Sequence, residues 1–205
     1  MDIKIPYTPR KHQAFLHNQI SKNRWSVLVC HRRFGKTVCM INHLIRSALL
    51  SKQKNPRFAY ISPTFKQSKS IAWDYMKQFT NKIPYIKFNE TELRVDLPNG
   101  ARITLLGSEN SDGLRGIYLD GCVIDEYANV HSKLFPEIIR PALSDRKGYC
   151  VFIGTPQGMN NNFYELYQHA QGADDWFNYK AKASETKIVD EDELVKAKEV
   201  MGEKK

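Results

Sequence analysis

The residues Cys30-His31-Arg32-Arg33-Phe34-Gly35-Lys36-Thr37 have the types and spacing that bind phosphate. A chain that wraps a nucleotide's phosphates follows the pattern G-x-x-x-x-G-K-[ST], placed after a strand and before a helix. Gly35, Lys36 and Thr37 match it, and Cys30 stands where the first glycine belongs. The chemistry needs backbone N–H groups curled around oxygens at a helix N-terminus, where the dipole favours anions. In that role Gly35 lets the backbone approach closely, Lys36 reaches the β- and γ-phosphates, and the Thr37 hydroxyl ligates Mg²⁺. Phe34 completes the loop. Arg32 and Arg33 make it basic: either one of them senses the γ-phosphate, or both face solvent or pair with acidic neighbours. A bare Gly-Lys-Thr arises by chance, so the weight comes from the strand before it and the helix after it.

A second constellation lies downstream. Gly121–Glu126 (GCVIDE) is an apolar run ending in two adjacent carboxylates. Neighbouring residues at a strand end point in different directions. Asp125 is therefore assigned to the Mg²⁺ shell and Glu126 to polarising the attacking water, since phosphoryl transfer depends on positioning and charge neutralisation. The alternative is a helix N-terminal charge pair favoured by the dipole.

Three further positions have two readings each. Arg115, in Gly113-Leu114-Arg115-Gly116, is either an arginine finger or a surface ion-pair partner of little energetic weight. Thr155, in Gly154-Thr155-Pro156, either bonds the γ-phosphate or attacking water, or belongs to a plain turn. Gln13, in Tyr7–Gln13, either pairs with an adenine edge or belongs to an N-terminal arm with a helix start.

Positioning these groups requires strands alternating with helices. Strand-like runs fall at Ser26–Cys30, Arg57–Ile61, Tyr85–Phe88, Glu92–Leu97, Ala101–Leu106, Gly121–Asp125, Tyr149–Ile153 and Phe177–Ala181. Pro98-Asn99-Gly100 is a hairpin turn between two of them. Helical spacing falls at Gly35–Leu50, Lys66–Phe79, Leu134–Ile139, Phe163–Ala170 and Ile188–Met201, the last with Asp190 as N-cap. The alternation predicts an α/β domain with a mainly parallel sheet, whose chemistry sits at the carboxyl ends of its strands. Lys66, Lys69 and Lys77 share one predicted helix, which faces either DNA or solvent.

The 205 residues carry 31 basic and 22 acidic side chains, a net charge of +9. That surplus favours a polyanionic partner such as DNA or RNA. The four cysteines show no C-x-x-C spacing, which points to free thiols in a reducing compartment. No metal-binding histidine spacing, signal peptide or membrane-length apolar run is visible, so a cytosolic protein without a membrane role is expected.

Taken together, the residues resemble the ATPase domain of tailed-phage terminase large subunits, from Tyr7 to about Tyr167. The resemblance is carried by the Gln13 segment, the R-R-x-G-K-T loop, Ser62-Pro63-Thr64 with Gln67, and Leu97-Pro98-Asn99-Gly100. It continues through Leu114-Arg115-Gly116, Val123–Ala128 (VIDEYA), Gly154-Thr155-Pro156-Gln157-Gly158, and Phe163-Tyr164. It implies a P-loop NTPase of the additional-strand catalytic-glutamate type, with ATP and Mg²⁺ as cofactors. It implies Lys36 and Thr37 in phosphate and metal binding, Asp125 on the metal and Glu126 as catalytic base. Arg32 matches the family's phosphate-loop arginine, Arg115 an arginine proposed to act in trans, and Gly154-Thr155-Pro156 the coupling motif. A non-glycine first loop position is tolerated in that family.

The implied partners are double-stranded DNA, a homo-oligomeric ring, a portal protein and a terminase small subunit, in the host cytoplasm and transiently at the procapsid portal. Residues 1–182 are expected to form the ATPase domain and 183–205 the start of a linker or lid. The family's C-terminal nuclease has no counterpart here, so no nuclease activity is expected of this chain. Two other classes stand beside this one. A helicase-like ATPase normally needs a second RecA-like domain. A non-catalytic DNA-binding module does not account for Lys36, Thr37, Asp125 and Glu126 occurring together.

Overall fold

Short runs of branched and aromatic residues form the centre of the molecule, because a strand covered on both faces has no solvated side to carry polar residues. The computed structural model describes residues 3–186 and residue 188. Within them one eight-stranded sheet is formed by β1 (Trp25–Cys30), β2 (Arg57–Ser62), β3 (Lys87–Asn89), β4 (Arg94–Asp96), β5 (Arg102–Gly107), β6 (Gly121–Ile124), β7 (Tyr149–Gly154) and β8 (Trp176–Ala181). The spatial order is β3-β4-β5-β2-β6-β7-β1-β8. Pairings from β5 across to β8 are parallel, whereas β3–β4 and β4–β5 are antiparallel. Every residue of β1 and of β6 is buried.

Helices cover both faces: α1 (Lys11–Ile20), α2 (Lys36–Leu50), α3 (Phe65–Gln67), α4 (Trp73–Thr80), α5 (Arg140–Ser144), α6 (Asn162–Gln171) and α7 (Ala183–Thr186). The strand period of two sends alternate side chains to opposite layers. Leu28, Tyr60, Val123 and Val151 pack with Leu16, Ile41 and Met76 of α1, α2 and α4. Val27, Ala59, Ile124 and Phe152 pack on the other face, with Phe135, Leu143 and Phe163. No helix among the described residues is long and apolar enough to cross a membrane.

The structure departs from the sequence reading in several places. Lys66–Phe79 is not one helix: α3 and α4 are separated by a π-turn, Ser68–Ala72. The wide turn contains Ser68, whose buried hydroxyl donates to the Leu106 carbonyl at 2.8 Å. Leu134–Ile139 is likewise a π segment leading into α5. Pro136 and Pro141 lack the N–H that the regular ladder needs there. The first hairpin strand is Lys87–Asn89, because Tyr85 lies in the left-handed region at φ 61. α1 was legible only as a helix start. The helix expected over Ile188–Met201 lies outside the described residues, apart from Ile188. All four cysteines are buried and free, with Cys122 and Cys150 facing each other at 3.4 Å across β6 and β7.

Candidate nucleotide-binding site

Because β1, β2, β6 and β7 run parallel, their carboxyl ends bring four loops to one edge of the sheet. The loop leaving β1 turns through Arg33 at φ 67 and Gly35 at φ 82 before α2 begins. A Cβ at Gly35 would stand 3.0 Å from Gln13 Nε2, in a backbone conformation that L side chains rarely adopt. The Cys39 N–H donates to the Gly35 carbonyl at 3.0 Å and starts the helix. Lys36 and Thr37 therefore occupy its first turn, and the free N–H groups of that turn point out of it.

Cys30, at the first position of the phosphate pattern, is buried in the core with Leu28 and Cys39. Burial pushes its thiol up to about 12. It is a small neutral packing residue, and with its side chain directed into the core the position does not require glycine. Phe34 is also buried, its ring set against His12, His31 and Tyr179. Its side chain anchors the loop, which leaves only its backbone to face a ligand. Arg32 and Arg33 are exposed on the loop surface. Gln13 donates to the Gly35 carbonyl at 3.3 Å and accepts from the Arg10 N–H at 3.0 Å, tying α1 to the loop.

The two carboxylates separate, Asp125 by strand alternation and Glu126 by a left-handed turn. Asp125 continues the alternation of β6 onto the α2 face and is buried. Its Oδ2 accepts a 2.5 Å hydrogen bond from the Tyr60 hydroxyl and its Oδ1 accepts from the Glu126 N–H at 2.9 Å. Burial raises its carboxyl above the usual range, while the Tyr60 hydrogen bond and the Lys36 charge oppose that shift. Glu126 sits in the left-handed region at φ 46 and turns towards the loop. For a non-glycine residue this conformation costs about 1–2 kcal/mol, a strain that concentrates at functional sites. Its Oε1 lies 3.9 Å from Lys36 Nζ, and its Oε2 accepts from the Thr155 hydroxyl at 3.3 Å. The Thr155 N–H approaches the same oxygen at 3.5 Å, a weak contact.

The structure thus gathers Gln13, Gly35, Lys36, Thr37, Asp125, Glu126 and Thr155. The donors fit a hard divalent cation: Mg²⁺ prefers oxygen, retains waters and binds through one or two protein groups plus phosphates. Thr37 and Asp125 supply a hydroxyl and a carboxylate, and Asp125 accepts from the Tyr60 hydroxyl. Arg115 is exposed, just after the turn Ser108–Leu114 that leaves β5. Lys66 and Lys69 are exposed on separate segments, and Lys77 pairs with Glu90 at 3.3 Å and Asp74 at 3.7 Å. Sequence reasoning missed Tyr60. Its signal was present: a tyrosine inside a strand of apolar neighbours needs a partner for its hydroxyl. It also missed His31 Nε2, which lies 2.8 Å from the Thr186 hydroxyl of α7.

Comparison with known proteins agrees with this geometry. A family model described as terminase large subunit, T4likevirus-type, N-terminal, matches residues 29–199. The terminase large subunit of Thermus virus P23-45 is 25% identical over 182 residues, covering 80% of this chain and 36% of that protein. The chain therefore spans only about a third of the length of that curated relative. Among solved structures, the large terminase ATPase domain of Thermus phage P74-26 superposes with a TM-score of 0.78 at 19% identity, covering 98% of this chain and 91% of that one. Another large terminase, from a thermophilic bacteriophage and solved in complex with ADP, gives 0.76 at 15% identity, covering 92% of this chain and 49% of that one. These neighbours share the P-loop NTPase fold, here with β7 standing as an additional strand between β1, which feeds the phosphate loop, and the acidic strand β6. The chain belongs to the terminase large subunit family and carries its N-terminal part.

Proposed function

We propose that the chain hydrolyses ATP, and that hydrolysis drives double-stranded DNA into a procapsid from a homo-oligomeric ring working with a portal protein and a terminase small subunit. The observation that carries this reading is the meeting of Lys36, Glu126 and Thr155 at the strand edge where Asp125 is held by Tyr60 and Thr37 opens α2. The loop N–H groups and Lys36 hold the phosphates, and Gln13 and Phe34 brace the loop from behind. Arg32 and Arg33 stand exposed where further phosphate charge is to be met. Thr37 and Asp125 hold Mg²⁺, which when bound neutralises charge on the β- and γ-phosphate oxygens. Glu126 orients the attacking water and takes its proton, and Thr155 holds one of its oxygens in place. Arg115 completes the neighbouring subunit's site. Residues 183–205 begin the linker or lid. The thermophilic-phage terminase solved with ADP, on the same fold, is the relative that supports nucleotide binding most directly.

The test is ATP hydrolysis across a range of protein concentrations, with Glu126→Gln as the blank. Activity per molecule rises with concentration, and Glu126→Gln lowers it by about 100-fold or more while still binding ATP. A wild type that binds no nucleotide and hydrolyses no faster than the variant would leave a DNA-binding module as the better reading.

A further inference from the structure

Tyr60 lies in the interior of β2, between β5 and β6, on the face covered by α2. Its side chain has no exposure to solvent. A phenol in a dry interior must set its hydroxyl against a polar partner. Here that partner is a carboxylate from another element. The phenol donates to Asp125 Oδ2 at 2.5 Å, beyond the end of β6. The other Asp125 oxygen takes the Glu126 N–H. The phenol therefore touches the carboxylate assigned to the metal. Bonds to both of its oxygens fix the plane of that carboxylate before any ligand arrives.

We infer that Tyr60 is a positioning residue for the metal: its hydroxyl, bonded to Asp125 from a different strand, orients that carboxylate for the cation that accompanies the nucleotide. The inference rests on the nucleotide-hydrolysing reading above and adds a residue from β2, which contributes no group to the phosphate loop or the acidic pair. A simpler role exists for a buried tyrosine, namely packing and one hydrogen bond for stability. Tyr149 provides that comparison, because it packs on the same face and its hydroxyl meets Ser47 Oγ at 3.0 Å, away from the site.

The experiment titrates Mn²⁺ into the ADP-saturated chain and follows free Mn²⁺ by electron paramagnetic resonance, for wild type, Tyr60→Phe and Tyr149→Phe. ADP binding in EDTA and thermal melting are measured alongside. Tyr60→Phe weakens Mn²⁺ binding by roughly 10- to 100-fold, the usual effect of removing a group that orients a metal ligand. Its metal-free ADP affinity stays unchanged. Tyr149→Phe lowers the melting temperature but binds Mn²⁺ like wild type. Wild-type Mn²⁺ affinity in Tyr60→Phe, at any melting temperature, overturns the inference while leaving the hydrolysis reading intact. A wild type that binds Mn²⁺ no better with ADP than without it takes down both. A second measurement needs no folded variant: the ¹³Cζ resonance of site-specifically labelled Tyr60 moves when Mg²⁺ is added to the ADP-bound chain. A resonance that stays still refutes the alignment.

Discussion

Lys36 and Glu126 face each other at 3.9 Å, with side chains 12% and 33% exposed. The pair holds Glu126 near the phosphate loop, and the second restraint on that carboxylate is Thr155. A hydrogen bond to a charged group contributes about 1.5–3 kcal/mol, which equals roughly tenfold or more in a rate that depends on its placement. Thr155→Ala therefore lowers kcat about tenfold and leaves ATP affinity in place, as steady-state kinetics with a parallel binding titration will show. Equal losses in affinity would instead assign Thr155 to the nucleotide. The strained backbone of Glu126 serves the same end, because the left-handed turn sends consecutive carboxylates to separate tasks.

At the scale of elements, α1 docks on α2 through two stacked imidazoles, His17 and His43, with Nδ1 atoms 3.1 Å apart. Tyr7 meets His17 Nε2 at 3.0 Å. Burial first, then the nearby Arg46 charge, holds His17 down at about 4; burial, His17 and Arg46 hold His43 at about 3. Both rings are neutral in the folded chain, whereas in the unfolded chain they titrate near 6.5. The stability they contribute is thus complete above pH 6.5 and is lost progressively as pH falls from there to the folded values. At pH 5 the loss is on the order of 2 kcal/mol per ring. The melting temperature falls between pH 7 and pH 5, and falls less in His43→Phe, by circular dichroism. Identical falls would place the acid sensitivity elsewhere. The same contact matters to the site, since α1 carries Gln13 to the Gly35 carbonyl.

For the whole molecule, the net charge of +9 suits a DNA partner, and the exposed Arg115 suits a neighbour's active site. If hydrolysis is completed between subunits, two inactive variants repair each other. A mixture of Arg115→Ala and Glu126→Gln regains ATPase activity, because a subunit that keeps Glu126 receives Arg115 from its partner. A mixture as inactive as its components assigns Arg115 to its own subunit. DNA stimulation of the wild type also weakens steeply with added salt, as counterion release requires.

The phosphate loop and the acidic pair were legible from sequence alone, because each is a local device. A strand, a short loop and a helix start lie within a dozen residues, and an apolar run ending in Asp125-Glu126 is equally local, although the left-handed turn at Glu126 that directs its side chain was not legible. The strand–helix rhythm likewise announced a mainly parallel sheet, since burial on both faces writes uninterrupted apolar runs. Interruptions by Pro136 and Ser68 were harder to read, because a π-turn is decided by which groups find hydrogen bonds after packing. Strand order was beyond the sequence: nothing local to Tyr149–Gly154 states that it inserts between β1 and β6. That choice arises from pairing between distant segments. It alone brings Thr155 to Glu126, as the β2–β6 pairing brings Tyr60 to Asp125. The residue types that do chemistry were written in the sequence, and the partners that orient them were set by the tertiary structure, where buried polar groups from remote strands must satisfy one another.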